Sequence, residues 1–454
     1  MKIDYKRKIL PPAVAVSLAL FAVNSGQDFG SALEDRSATS ADRRAAETVA
    51  HGVADVAAPG FAGGQLNALF SGMPTASAGD ATYGPRTVAA VDRSGSANTL
   101  TADDAAGNAE DAASARAGAR AKMSSQVALL AGIGGPERVD LVIRFSDHPD
   151  LVDADRVAEL GGEVVRSYRT LEMQTVRLPA SALYEFALEP DVERLSLDET
   201  VSISSVSSRQ TANVPGSASG NFAYSGQGVG VAILDTGIAE HADLQASVIQ
   251  YSFLKGAYPV PTIVNGEVTA TNSDPREDLF GHGTHVAGII AGSGGQSNNA
   301  YQGAAQQSQL LSLQVLDSHG NGTMSDIMAA LDWLLTYGSY FDVRIANLSL
   351  GKGISESNTT DPLVLAVEAL WDNGVVMVIA AGNLGSGGSM TIKSPGNSRK
   401  VITVGSLTDS STSSFGDDYV SSFSSRGPSV GDYVMKPDLV APGNRLIAAI
   451  PDVA

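Results

Sequence analysis

Three residues able to do acid–base and oxyanion chemistry stand far apart in this sequence. Asp235 closes the apolar run "GVGVAILD" and is followed by Thr236 and Gly237; His282 stands in "GHGTHVAGIIAG" (Gly281–Gly292); Asn383 closes "VVMVIAAGN". A carboxylate bonded to an imidazole fixes its tautomer and stabilises its protonated form, so the ring can take a proton from a hydroxyl. An asparagine amide can donate to an oxyanion growing on a carbonyl. Together the three types read as acyl-transfer or hydrolytic chemistry.

Each also has a structural reading. Asp235 can be a turn aspartate, a histidine at a helix start can be a core residue with a satisfied hydrogen bond, and "AAGN" can be a turn. Two rival chemistries use the same letters. Asp-Thr-Gly after apolar residues is the signature of an aspartic protease, whose two carboxylates share a proton. No second Asp-Thr-Gly or Asp-Ser-Gly occurs, so that mechanism needs a symmetric dimer, and the surrounding pattern is wrong for it. The pair His282-x-x-His285 lacks the glutamate and the spacing of a zinc-binding His-Glu-x-x-His. No metal site is assigned.

The elements that must position these residues alternate between strand and helix. "VGVAILD", "QLLSLQVL", "RIANLSL", "VVMVIAA" and "KVITVGS" are short, unalternating apolar runs, as strands buried on both faces should be. Between them, "DPLVLAVEALWDNG" offers Asp361 as cap, Pro362 in the first turn and Gly374 as stop, with Leu363, Val367, Leu370 and Trp371 on one face. The fold class expected is α/β, a doubly wound parallel sheet with right-handed crossovers. In such sheets ligands gather outside the carboxyl ends of the strands, where Asp235, Ser349 and Asn383 fall.

Upstream, residues 136–204 change character. Strands at "VDLVIRF", "EVVRSYRT", "MQTVRLP" and "VERLSLD", with helices at "DADRVAELGG" and "PASALYEFALE", give the order β-α-β-β-α-β of a small ferredoxin-like α+β unit. Residues 26–135 are dominated by Ala, Gly, Ser, Asp and Thr. Too little apolar area is available there to offset ordering entropy, so the zone is expected to be mostly disordered. In residues 1–25, Lys2, Lys6, Arg7 and Lys8 precede the apolar run Ala13–Val23. That is the order of a secretory signal and too short to span a bilayer, although only Ala22 or Ser25 offers a cleavage position.

Composition narrows the function classes. The chain has 454 residues, 43% hydrophobic, with 49 acidic against 30 basic residues and a formal net charge of −19. That balance argues against nucleic acid as a partner. The absence of cysteine excludes disulfides, a thiolate nucleophile and cysteine zinc sites.

In this order and with these flanks, the chain resembles a subtilisin-like serine protease zymogen. "VAILDTGI" is similar to the family's aspartate motif, "GHGTHVAGIIAG" to its histidine motif, "ANLSLG" to its substrate-binding strand and "VIAAGN" to its oxyanion motif. "FSSRGP" with "KPDLVAPG" resembles the approach to its nucleophile. The resemblance covers about residues 138–454. It implies Asp235 as orienting acid, His282 as general base, His285 as a structural residue and Asn383 as oxyanion donor. It further implies that Gly320-Asn321-Gly322 and Ser349-Leu350-Gly351 flank an extended polypeptide substrate by strand addition. Residues 136–204 would be a propeptide that acts as intramolecular inhibitor and chaperone, cut between about Asp198 and Val214, and 205–454 the peptidase domain. Secretion is the expectation set by the N-terminal pattern of residues 1–25. Calcium often supports the family, and Asp243 stands in a plausible ligand position. "TIKSPGN" puts Lys393 near the primary pocket, which hints at acidic side chains.

One part of the pattern is missing. The family's nucleophile lies in Gly-Thr-Ser-Met-Ala, and no such motif occurs in residues 1–454; the sequence reads "KPDLVAPGNRLIAAIPDVA" to its last residue. The expectation is a peptidase lacking its serine, inactive alone. Subtilisin is itself the reference case for the size of this effect: loss of the serine lowers turnover roughly a million-fold. The alternatives are a non-catalytic peptide-binding remnant and one part of a split enzyme.

Overall fold

The buried apolar runs assemble into one large, mostly parallel sheet. The computed structural model describes residues 90–91, 97–98, 113–147, 151–203, 225–244, 248–270, 275–408, 415–444 and 446–451. The expected signal segment, most of 26–135 and the segment 204–224 lie outside the described residues. The chain divides into a unit of residues 22–111 and a unit formed by the rest. In the former, the described residues Ala90–Val91 and Ala97–Asn98 form a short antiparallel ladder.

A four-stranded antiparallel sheet comes first in sequence. Helix α1 (Ser125–Ile133) precedes strand β1 (Arg138–Phe145), helix α2 (Leu151–Glu159), strands β2 (Glu163–Ser167) and β3 (Met173–Pro179), helix α3 (Leu183–Ala187) and strand β4 (Val192–Leu197). Spatially the strands run β4-β1-β3-β2, which is the ferredoxin-like order expected from periodicity. Leu141 and Ile143 of β1 pack with Val157 of α2 and Phe186 of α3, while Val142 and Met173 on the other face join the core of the large sheet.

The disorder expected over 26–135 does not extend to its last part. Residues 113–121 are helical, Met123 pairs in parallel with Leu195 at the β4 edge, and α1 buries Val127, Ala128 and Ala131. The order comes from tertiary contact: Ser124 N donates to Leu195 O and Leu195 N to Lys122 O, which covers an edge that would otherwise be open. Ser124 Oγ caps α1 by accepting from Val127 N.

After strand β5 (Thr200–Ile203) come β6 (Gly230–Asp235), β7 (Val248–Ser252), helix α4 (His282–Ala291), β8 (Gln309–Gln314), β9 (Asn321–Thr323), α5 (Met324–Tyr337), β10 (Val343–Leu348) and β11 (Leu350–Gly351). Helix α6 (Pro362–Asp372) and strands β12 (Val376–Ala380), β13 (Ile402–Thr408), β14 (Tyr419–Val420) and β15 (Leu439–Pro442) complete the fold. The large sheet runs β14-β13-β12-β10-β6-β8-β7, with β15 also on β13. Its pairings are parallel except that of β14. Strand order reverses around β6, which makes its carboxyl end a switch point where ligand crevices form.

Both faces of β6 are buried. Val231 and Ile233 pack with Ala287 and Ala291 of α4, while Ala232 and Leu234 join the layer built by α5 and α6 around Trp333. Helix α6 starts as its sequence dictates: Asp361 accepts from Leu363 N, with Pro362 in the first turn. Leu363, Val367 and Leu370 are buried, and Trp371 packs half-buried against them. On the α4 side of β12 and β13, Val376, Val378, Ala380, Ile402 and Val404 stay only half-buried, so the sheet is less covered there than over β6.

Candidate active site

Asp235 is the last residue of β6 and 1% exposed. Its Oδ1 accepts from Thr236 N at 2.8 Å and from Thr236 Oγ1 at 3.3 Å. Gly237 turns the chain away at φ 111°, and a Cβ there would meet Glu277 O at 2.1 Å. These contacts hold the carboxylate at the rim.

His282 opens α4, and its Nδ1 lies 2.7 Å from Asp235 Oδ1. Two features of the motif produce this approach. Gly283 packs against the Asp235 turn so closely that a Cβ would lie 2.1 Å from Gly237 O, and its N–H donates to Thr236 Oγ1. Asp278 caps the helix start: Oδ1 accepts from Gly281 N at 2.7 Å, and Oδ2 from Thr284 N and Thr284 Oγ1. Burial disfavours the charged imidazole, but the charge and hydrogen bond of Asp235, with Asp278 adding, outweigh it and raise the His282 pKa above its ordinary value.

His285 faces elsewhere. Its Nε2 lies 3.4 Å from Leu446 O, and burial lowers its pKa. The two rings of His282-x-x-His285 thus have different partners, and Asp235 pairs with an imidazole rather than a second carboxylate. Asp243 Oδ1 accepts from Ser293 Oγ and Gln296 N of the loop that follows α4. Among the described residues no three carboxylates or imidazoles converge as a metal site would require.

Asn383 and Ser349 share the rim with Asp235. In the sheet register, Leu234 of β6 pairs with Leu348 of β10, which pairs with Ile379 of β12. Asp235 and Ser349 are therefore each one residue past this row, and Asn383 is four past it. Two strand spacings of about 4.8 Å put the ends of β6 and β12 about 10 Å apart.

The expected substrate-flanking segments carry a strand between them, and that strand is the chain's own. β5 pairs antiparallel with β9 on one side (Asn321 with Ser202, Gly322 with Val201) and with β11 on the other (Leu350 with Ile203, Gly351 with Ser202). Ile203 N also donates to Gly320 O at 3.2 Å. Val201 is buried in the core shared with α5. Gly320-Asn321-Gly322 thus engages a peptide backbone, and so do Leu350 and Gly351 of the segment Ser349-Leu350-Gly351, whereas Ser349 lies outside the pairing.

Residues not singled out from sequence fix the small unit against the large sheet. Asp332 of α5, wholly buried, accepts from Arg169 N, Thr170 N and Leu171 N. Asp198 Oδ1 accepts from Ser325 N and Oδ2 from Ser325 Oγ, at the start of the same helix. Ion pairs join Arg166 to Asp326, Arg194 to Glu356 and Glu199 to Lys352. Only the caps leave a local signal, an Asp or Ser before a helical run; the pairing partners lie more than 120 positions away.

Comparison with known proteins comes to the same region. The sequence pattern of the subtilase family matches residues 226–452, half of the chain. Serine protease AprX of Bacillus subtilis (strain 168) is 41% identical over 228 residues, 49% of this chain and 48% of that protein. The minor extracellular protease Vpr of the same strain is 31% identical over 261 residues, 54% of this chain and 30% of that one. M-protease of Shouchella clausii (strain KSM-K16) is 29% identical over 324 residues, 71% of this chain and 74% of that protein. The chain thus spans about half the length of AprX and less of Vpr.

Proposed function

The chain belongs to the subtilase family, and from that premise we propose that it is a secreted serine endopeptidase, here with its cleft closed by its own small unit. The observation that carries this reading is strand β5, held in register between β9 and β11 at the rim where Asp235 and His282 meet. A polypeptide substrate takes the same place by the same backbone pairing.

In the proposed reaction Asp235 holds Nδ1 of His282, so that Nε2 takes the proton from a serine hydroxyl as it attacks the scissile carbonyl. Asn383 donates its amide to the oxyanion. Residues 1–454 contain no Gly-Thr-Ser, so the hydroxyl belongs to a segment outside them. The half-buried strip over β12 and β13 supports a further segment packing on that face. The unit of residues 136–204 acts as propeptide: the docking contacts of Asp198, Asp332 and Arg194 and the occupied cleft support inhibition in cis. The cut falls after Ile203, within 204–214. Export rests on the Lys2–Val23 pattern and on the likeness to a relative described as extracellular.

The test is to read the coding sequence beyond Ala454 and express the product that carries the next Gly-Thr-Ser. Casein hydrolysis that is lost in His282→Ala supports the reading. Hydrolysis that survives His282→Ala removes His282 as the base. A product that binds peptides and cuts none returns the chain to a binding role.

A further inference from the structure

Lys393 is the residue on which this inference turns. Its backbone N donates to Ala381 O at 3.0 Å, and the next residue, Ser394, bridges to Lys352 just after β11. It therefore lies on the segment that joins the end of the Asn383 strand to the end of β11. Its side-chain stem threads between two glycines. A Cβ on Gly351 would meet Lys393 Cβ at 3.1 Å, and one on Gly382 would meet Lys393 Cγ at 3.0 Å. The slot exists because both positions lack a side chain.

The ammonium at the end of that stem has a weak partner. Nζ donates to Gly351 O at 3.4 Å, and no carboxylate among the described residues lies within ion-pair distance of it. The other well-buried lysines differ: Lys352 pairs with Glu199 and Asp361, and Lys436 with Asp438. Burial alone lowers the Lys393 pKa, with no charge opposing it. A half-buried cation without a counter-charge is costly unless something else supplies one.

The cleft points to where it comes from. β5 runs with Ser202 opposite Gly351 and Ile203 opposite Leu350, so the next position of a substrate bound in that register would fall beside Ser349, between the β10 and β12 ends. The slot holding Lys393 lies between those same ends. We infer that Lys393 selects an acidic side chain at the substrate position that follows the residue paired with Leu350. This rests on the reading of the cleft as a substrate groove and adds the substrate class. The chain's own stretch 204–214, "SSVSSRQTANV", holds no Asp or Glu, so it offers the cation no counter-charge.

The test needs no catalysis. Ser204→Glu and Ser204→Gln are made in the intact chain, with Lys393 unaltered and again with Lys393→Met, and amide hydrogen exchange at Ser202 and Ile203 is measured. A charge-assisted pair in the groove slows opening of β5, and about tenfold slower exchange in Ser204→Glu than in Ser204→Gln is expected. The difference vanishes with Lys393→Met. Equal protection of the two Ser204 variants with Lys393 present overturns the inference and leaves the groove intact. Unprotected amides in every variant sink the groove itself and this inference with it.

Discussion

Nδ1 of His282 lies 2.7 Å from Oδ1 of Asp235, although the residues are 47 positions apart. The pair joins a strand end to a helix start, and each partner is held by contacts of its own: Thr236 for the carboxylate, Gly283 and Asp278 for the ring. The chemistry and the local packing are therefore the same set of contacts.

Breaking that pair should be visible in the titration of the ring. Asp235→Asn removes the charge that opposes burial, so the His282 pKa should fall from its raised value to below the ordinary 6.5. The linkage has a definite sign. A raised histidine pKa contributes stability that is fully present below the unfolded value near 6.5 and lost as pH rises through the folded value. The gap in Tm between the unaltered chain and Asp235→Asn should therefore narrow as pH rises through that window. Imidazole NMR gives the pKa, and thermal unfolding against pH gives the gap. A gap that widens with pH would falsify this account of the pair.

Gly283→Ala tests how the helix reaches the carboxylate. The new Cβ would sit 2.1 Å from Gly237 O and 3.2 Å from Asp235 Cβ; both lie in a buried turn with no flexible end to yield. α4 must move away, at a cost of about 1–3 kcal/mol or more. The His282 pKa should fall as the ring leaves Asp235. A variant as stable as the parent with an unchanged His282 titration would show that the turn yields elsewhere.

Much of this was legible in the sequence, for physical reasons that also explain the rest. β6 reads clearly because burial on both faces leaves an unbroken apolar run, and α6 because Asp361, Pro362 and Gly374 mark its ends. The motif around His282 carries its own glycines and so announces close packing. α1 leaves little local signal because Ala, Gly and Ser are neutral there; its order comes from the β4 edge, 70 positions away. β5 is four residues long, and nothing local in Thr200–Ile203 says that β9 and β11 will take it between them. Asp332 sits mid-helix like any surface acid, and only the fold brings the Arg169–Leu171 backbone to it.

The small unit should need residues 113–135 to fold well. Ala119, Met123, Val127, Ala128 and Ala131 all belong to its core. A separate fragment 113–205 should unfold cooperatively, and 136–205 should be less stable by at least about 3 kcal/mol, as read by urea denaturation. The longer fragment should also inhibit the complete enzyme more strongly in trans. Equal stability of the two would mean that the N-terminal helices rest on the unit without supporting it.

Docking of that fragment should weaken as pH rises. Burial raises the Asp198 pKa above its ordinary value despite hydrogen bonds from Ser325, with the charges of Asp140 and Asp326 adding to the rise. In the separated fragment the carboxyl is free of Ser325 and α5, and its pKa returns toward the ordinary range. The docked state thus binds a proton more tightly than the free state, and linkage makes docking stronger below the raised pKa and weaker above it. Calorimetric titration of fragment 113–205 against residues 206–454 should show affinity declining through the window above the usual aspartate pKa and levelling off once Asp198 is ionised in both states. Asp198→Asn keeps an acceptor for Ser325 N and turns an NH2 donor toward Ser325 Oγ, carries no charge, and should flatten the profile in that window. If the profile is unchanged by Asp198→Asn, the pH dependence belongs to another buried carboxylate at the interface. Glu356, raised first by burial although Arg194 pairs with it, is then the residue to replace next.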